Sequence, residues 1–105
     1  KEELGISEEF LRDFHLKYIM LRHVNGEVRV NYFFFAGLPD GICMKLQSQE
    51  GILQWFPLEE IKNLEMPLST KYAMEHYLKQ GRNDNDLYAG VVTYENAVFT
   101  PMPEM

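Results

Sequence analysis

The sequence predicts a single α+β domain, or mixed-sheet α/β sandwich, in which helices lie between two groups of strands. Three observations indicate this class. The chain has 105 residues, enough for one domain. Stretches of alternating apolar and polar residues near its start and its end predict strands, and helical spacing of apolar residues lies between them. The order of elements is therefore not a regular βαβ repeat.

A long antiparallel hairpin is predicted over residues 10–36. Its first strand, "FLRDFHLKYIMLRHV", alternates, and one face is predicted to carry Phe14, Leu16, Tyr18 and Met20. Asn25-Gly26 then precedes "EVRVNYFFFAGL". Both turn residues tolerate the positive φ of a type I′ turn, which makes Asn-Gly a strong hairpin signal. At least one of Phe33, Phe34 and Phe35 should face away from the main core, because side chains alternate along a strand.

Further strands and two helices are predicted in the middle of the chain. One strand is expected over residues 44–49, and the short strand "ILQWF" follows. "PLEEIKNLEM" has the marks of a short helix, with proline at the first helical position and two glutamates in the first turn. A longer helix is predicted over residues 67–80, with Gly81 as its stop. Its apolar face comprises Thr70, Ala73, Met74, Tyr77 and Leu78.

The chain closes with a polar turn and two strands. In the turn, "RNDND", Asp84 and Asp86 are expected to serve turn chemistry. "LYAGVVTYENAVFTP" then predicts two short strands joined near Glu95-Asn96. His15, His23 and His76 share no metal-binding spacing, so each is expected to be structural or exposed.

Composition excludes several classes of partner. The net charge of −6 argues against a nucleic-acid polymer, whose binding depends on Lys and Arg that neutralise phosphates. Cys43 is alone, which excludes an internal disulfide and a cysteine-based zinc site. The sequence shows no signal peptide and no apolar run of transmembrane length, so we expect no membrane partner and a cytoplasmic location.

The acidic pair at the start of the chain raises the question of a metal site. "KEELGI" places Glu2 beside Glu3, before a glycine that could end a helix. Two adjacent carboxylates supply the hard oxygen ligands that Mg²⁺ and Mn²⁺ prefer. The alternative is that the two glutamates are a solvated helix end without a ligand.

Two stretches of the sequence resemble the Nudix hydrolase family. The family's signature box ends R-E-U-x-E-E-x-G-U, where U is aliphatic, and "KEELGI" is similar to its last six positions. The second stretch, "EGILQWFPLEEI", is similar to a glutamate-glycine loop, a strand ending in Trp-Phe and a short acidic helix that members often carry. The matching residues there are Glu50, Gly51, Trp55, Phe56, Pro57, Leu58, Glu60 and Ile61.

The resemblance implies a fold and an activity. Residues 1–105 would form one Nudix-like α/β/α sandwich without its N-terminal strands, beginning inside the box. The activity would be hydrolysis of the pyrophosphate bond in a nucleoside diphosphate linked to another moiety, such as a nucleoside triphosphate, an oxidised nucleotide or a nucleotide sugar. Glu2 and Glu3 would bind Mg²⁺ or Mn²⁺, and Glu3 would be catalytic through that metal. Glu50 would be a further ligand or the base that orients water.

Other functions remain open at this point. A non-catalytic Nudix-like module that binds a nucleotide or docks a partner is the first alternative, and an unrelated α+β domain is the second. A Nudix sheet without its first strands would expose an open edge. We therefore expect the 105 residues to be part of a longer protein or to associate as a homodimer, and to be inactive alone.

Overall fold

The structure, a computed structural model, describes residues 12–39, 41–48, 51–52, 56–58 and 68–104. Helix α1 spans Leu68–Lys79 and is followed by a 3-10 turn (Gly81–Asn83). The strands are β1 (Arg12–Val24), β2 (Glu27–Leu38), β3 (Gly41–Ser48), β4 (Gly51–Ile52), β5 (Phe56–Pro57), β6 (Tyr88–Val92) and β7 (Ala97–Pro101).

The strands within the described residues form one mixed sheet. Its order is β4-β3-β2-β1-β6-β7, and β5 also pairs with β3. All pairs are antiparallel except β1 with β6, which run parallel. The α+β, mixed-sheet class predicted from the sequence is therefore confirmed.

The hairpin of β1 and β2 confirms the Asn-Gly prediction. Asn25 has φ 52° and Gly26 has φ 78°, so both turn residues occupy the left-handed region. Val24 and Glu27 pair directly across the turn. This backbone conformation suits a two-residue loop because its twist matches that of the flanking strands.

Two irregularities in β1 overturn the predicted alternation. The pairing register with β2 shifts between Arg12 and His15 and again between Leu16 and Tyr18. Each shift places one extra residue in β1, as a β-bulge does, and moves the later side chains to the other face. Lys17 and Tyr18 are consecutive yet both buried, while Phe14 is 54% exposed. The prediction that Phe14 and Leu16 share a face with Tyr18 and Met20 is therefore wrong.

Helix α1 covers one face of the sheet. Its buried residues include four members of the predicted face: Thr70, Ala73, Met74 and Tyr77. The ring of Tyr77 stacks on Phe35 of β2, with centroids 4.1 Å apart. The hydrophobic core on this side of the sheet also contains the buried residues Tyr18, Met20, Phe33, Met44, Leu58, Tyr88 and Val92. The spacing in the sequence thus identified the packed face of this helix.

The opposite face of the sheet carries a separate cluster. Phe34 contacts Phe14 edge-on, with ring centroids 5.6 Å apart, and Lys45 Nζ lies 5.4 Å from the Phe34 centroid. Phe33 and Phe35, in contrast, are buried under α1. The expectation that at least one of the three phenylalanines faces away from the main core is confirmed.

The closing strands also agree with the sequence. Strands β6 and β7 are joined by a turn in which the Thr93 hydroxyl accepts hydrogen bonds from the backbone N–H groups of Glu95 and Asn96. Pro57, predicted at the first helical position of "PLEEIKNLEM", lies in β5 instead, and Leu58 is helical. The rest of that predicted helix lies outside the described residues, as does part of the "ILQWF" strand. Within the described part of the chain, no helix combines the length and apolarity needed to cross a membrane.

Candidate functional site

The three predicted site residues, Glu2, Glu3 and Glu50, lie outside the described residues. The strands on either side of Glu50 pair antiparallel, with Ser48 opposite Gly51. Among the residues that the structure does describe, no group of three or more His, Cys, Asp or Glu side chains could hold a metal ion. The metal site therefore stays a prediction from the sequence.

Two cavities lie at opposite ends of the parallel strands β1 and β6. The cavity at the amino ends has a volume of about 490 Å³. Its walls are formed by Asp13, Phe14, His15, Leu16, Tyr77, Gly81, Arg82, Asp84 and Asn85. The cavity at the carboxyl ends has a volume of about 360 Å³. It is lined by Arg22, His23, Val24, Asn25, Leu68, Val92, Thr93 and Tyr94.

A buried ion pair lies at the first of these ends. Lys17, which is 1% exposed, donates from Nζ to Asp84 Oδ1 at 2.7 Å and to the Asp84 carbonyl at 3.0 Å. The Tyr88 hydroxyl donates to Asp84 Oδ2 at 2.6 Å, and Gln80 Nε2 donates to the Tyr88 hydroxyl at 3.4 Å. The Lys17 ammonium is therefore desolvated but fully paired, which is the condition under which a buried charge is tolerated.

An aromatic layer packs beneath this ion pair. The Tyr18 hydroxyl and His76 Nδ1 share a hydrogen bond of 2.7 Å, and the Tyr18 ring stacks on Tyr88 with centroids 5.8 Å apart. The His76 ring stacks in turn on Phe99, at 4.3 Å. Gly81 lies so close to this layer that a Cβ atom there would overlap the Tyr18 hydroxyl. The layer fixes the end of α1 against β1, β6 and β7.

The hydrogen bonds of this network shift the pKa values of Asp84 and Tyr88 in opposite directions. Burial raises the pKa of Asp84, but hydrogen bonds from Lys17 and Tyr88 outweigh that effect and lower the pKa to about 2. The hydrogen bond to Asp84, together with burial, raises the pKa of Tyr88 to about 12. Burial also lowers the pKa of His76, against the opposing charge of Asp84. At neutral pH the network is thus a charged pair surrounded by neutral rings.

Stability should depend on pH through Asp84. Its folded pKa of about 2 lies below the ordinary value of 3.8, so its contribution is complete above about pH 4 and is lost as the pH falls toward 2. Urea denaturation of the wild type and of Asp84→Asn over this range measures the effect. The difference in unfolding free energy between the two proteins should shrink as the pH falls. A constant difference would contradict the role given to the carboxylate.

The arrangement of this network indicates that it stabilises the fold. Its charges and hydroxyls are paired with one another, and the expectation that His76 is structural is confirmed by its bond to Tyr18. Cys43 is buried as well, and burial raises the pKa of its thiol to about 11, which keeps it protonated at neutral pH. The hydrogen-bonded His76 ring is therefore not arranged as a general base, and the protonated Cys43 thiol is not arranged as a nucleophile.

The carboxyl-end cavity differs because one buried donor atom there has no partner among the described residues. Arg22 Nε is buried and has no hydrogen-bond partner in the described structure. The same is true of Thr70 Oγ1, in the first turn of α1. Buried polar atoms without a partner are uncommon in folded proteins, and each one calls for an explanation. Sequence reasoning had assigned no role to Arg22.

Reasoning from the sequence also missed the Lys17–Asp84 pair. The expected turn chemistry of Asp84 is confirmed, because Asp84 Oδ1 accepts a hydrogen bond of 3.0 Å from the Asp86 backbone N–H. The second role of Asp84 depends on a residue 67 positions away. The available signal was a lysine within the apolar stretch "HLKYIM", since lysine is almost never fully buried unless it is paired.

No protein-family model, no curated protein and no solved structure matches this chain.

Proposed function

We propose that this protein is a divalent-metal-dependent hydrolase of the Nudix type. Its reaction would be cleavage of the pyrophosphate bond in a nucleoside diphosphate linked to another moiety. The observation that carries the proposal is the run Glu2-Glu3-Leu4-Gly5-Ile6, which fits the end of the Nudix box position by position. The glutamate-glycine pair Glu50-Gly51, placed before a Trp-Phe strand, adds a second match in the expected order.

The described fold supports the proposal through the order of its elements. The two motif matches are separated in the chain by the long hairpin of β1 and β2 and by β3, which is the order expected for the family. A mixed sheet with α1 packed on one face is compatible with one half of an α/β/α sandwich. The complete Nudix-like sandwich is part of the proposal.

The chemistry of the proposed donor set fits the metal. Glu2, Glu3 and Glu50 offer only carboxylate oxygens, which suit Mg²⁺ or Mn²⁺ better than softer ions. When bound, the metal would neutralise charge on the phosphate oxygens and lower the pKa of water. Glu2 and Glu3 would hold it, with Glu50 as a third ligand or as the group that orients the attacking water. We propose a nucleotide-type small molecule as the substrate.

Glu3→Gln should lower Mg²⁺-dependent hydrolysis at least about tenfold, because the variant removes one ligand charge from the metal site. The assay uses a longer chain that carries the complete box, and it follows phosphate release from a panel of nucleoside triphosphates and nucleotide sugars, with and without Mg²⁺. Thermal melting of the same preparations should show little change, because the motif places Glu3 in a site rather than in the core. Sedimentation of these samples also tests the proposed association of two copies.

Glu75→Gln is the matched control, because Glu75 is an exposed glutamate on α1. Its turnover should equal that of the wild type. Equal turnover of Glu3→Gln and the control would remove Glu3 from the ligand set. Nucleotide binding without hydrolysis in the wild type would instead favour the non-catalytic binding module.

A further inference from the structure

The cavity at the carboxyl ends of β1 and β6 occupies a favourable place for a ligand. Arg22 of β1 pairs in register with Val92 of β6, and both residues line this cavity. The first residue of α1, Leu68, lies on the same wall. In open sheets with parallel strands and a connecting helix, ligands bind in the crevice beyond the carboxyl ends of the strands.

Arg22 indicates which chemical class of ligand the cavity would bind. Its Nε–H is buried and unpartnered, although a guanidinium has five donors in a fixed fork that suits carboxylate and phosphate oxygens. Leaving such a donor unsatisfied costs free energy, about 1–3 kcal/mol for a typical buried group. A ligand oxygen that accepted this hydrogen bond would recover that cost.

The surroundings favour a negative ligand over an internal partner. None of the described residues that line this cavity is an aspartate or a glutamate. The carboxylate of Glu27, on the neighbouring strand, pairs instead with Arg29 Nη2 at 3.6 Å. Arg29 lies directly opposite Arg22 in the hairpin and engages Glu27. The amino end of α1 adds a positive dipole to the same wall.

The remaining walls suit the uncharged part of a small molecule. Leu68 is 38% exposed, and Tyr94 is 96% exposed at the tip of the β6–β7 turn. The Thr93 hydroxyl is already engaged with Asn96, so it is not a free ligand group. A volume of about 360 Å³ exceeds what a lone oxyanion needs and accommodates an attached apolar group.

We propose that the cavity around Arg22 binds the oxyanion group, carboxylate or phosphate, of a small molecule whose apolar part lies against Leu68 and Tyr94. The guanidinium of Arg22, a residue that lines this cavity, is the group that donates to the oxyanion. The residues assigned to this site are all described ones, and Glu2, Glu3 and Glu50 are not among them. The site is therefore independent of the proposed hydrolase function.

The test is a titration of the ¹⁵N-labelled protein with benzoate, phenyl phosphate and neutral benzyl alcohol, followed by NMR in the absence of divalent metal. Benzoate or phenyl phosphate should shift the amide signals of residues around the cavity, such as Val24 and Thr93, and benzyl alcohol should bind at least about tenfold more weakly. The stronger of the two anions identifies the preferred oxyanion. Absence of these shifts at millimolar concentration would overturn the proposal.

Arg22→Met retains the aliphatic stem and removes the guanidinium. Binding of the preferred anion should weaken at least about tenfold, and Arg22→Lys, which keeps the charge without the fork, should fall between this variant and the wild type. Arg12→Met is the matched control, because Arg12 is an exposed arginine at the other end of β1, and its binding should stay unchanged. Equal weakening in Arg12→Met would reduce the effect to net charge and refute the site.

The two proposals can fail separately. Glu3→Gln should bind the anion as the wild type does, since the proposed anion contact is made by Arg22 and not by the three glutamates of the metal site. Arg22→Met should also keep its thermal stability, because it removes an unpartnered buried donor rather than a bonded one. A large loss of stability in both Arg22→Met and Arg22→Lys would show that Arg22 serves the fold, which would overturn the assignment.

Discussion

Asp84→Ala should lower the free energy of unfolding by about 1–3 kcal/mol, the cost of leaving a buried polar donor without its partner. Lys17 is 1% exposed and would lose its 2.7 Å partner, whereas the Asp84 side chain is 27% exposed, so water can reach part of the space that the carboxylate leaves. Tyr88 would lose its acceptor in the same variant. Urea denaturation of the wild type and the variant at neutral pH measures the difference.

A second variant distinguishes the effect of the unpaired Lys17 charge from the effect of losing the other Asp84 contacts. Lys17→Met replaces the buried ammonium with an apolar side chain of similar length, so Lys17→Met/Asp84→Ala should be more stable than Asp84→Ala alone. The coupling energy between the two positions should be about 0.5–3 kcal/mol. Asp86→Ala, at an exposed position two residues away, is the control and should stay within about 0.5 kcal/mol of wild type. Additive effects of the two changes would contradict a direct ion pair.

Gly81→Ala should destabilise the protein by about 1–3 kcal/mol through overpacking. The added methyl would overlap the Tyr18 hydroxyl and would lie 3.3 Å from Lys17 Cε. Tyr18 cannot give way easily, because its ring is fully buried and its hydroxyl is bonded to His76. Thermal or urea denaturation gives the size of the loss.

Gly41→Ala is the matched control for this change. A Cβ atom at Gly41 would meet no atom within 4 Å, so the substitution should be neutral or slightly stabilising. Equal stability of the two variants would show that the space beside Tyr18 is larger than the structure indicates. A loss confined to Gly81→Ala would locate the strain in the aromatic layer.

The parts of the fold that depend on local chemistry could be predicted from the sequence. The turn at Asn25-Gly26 follows from the tolerance of these residues for positive φ, and the structure gives both the positive values. Helix α1 was expected over residues 67–80 and spans Leu68–Lys79, because apolar spacing identifies a packed helix face. The closing hairpin was predicted on similar grounds.

The irregular parts of β1 could not be predicted, because no local residue requires them. The shift at Lys17 allows two consecutive side chains, Lys17 and Tyr18, to be buried together. That arrangement is favourable only when Asp84 and Tyr88 are brought alongside by the parallel pairing with β6. A period-two pattern assumes a regular pleat and therefore fails where tertiary contacts favour a bulge.

The candidate sites also differ in whether the local sequence predicts them. Glu2, Glu3 and Glu50 were identified by resemblance to a motif, and their roles remain predictions that the glutamine variant tests. Arg22 carries no motif, and its position beside Val92 and Leu68 depends on how β1, β6 and α1 assemble. A sequence offers no signal for an unpartnered donor of this kind, because the missing partner is a property of the folded surroundings.

The parallel pairing of β1 with β6 has a consequence for the route by which the chain folds. The Lys17–Asp84 contact closes a loop between residues 67 positions apart, whose entropy cost is roughly 4 kcal/mol for a flexible chain. The β1–β2 hairpin needs only a two-residue turn, so it can form early and on its own. We therefore expect the ion pair and the pairing of β6 with β1 to form after the β1–β2 hairpin, because closing long loops between distant residues slows folding.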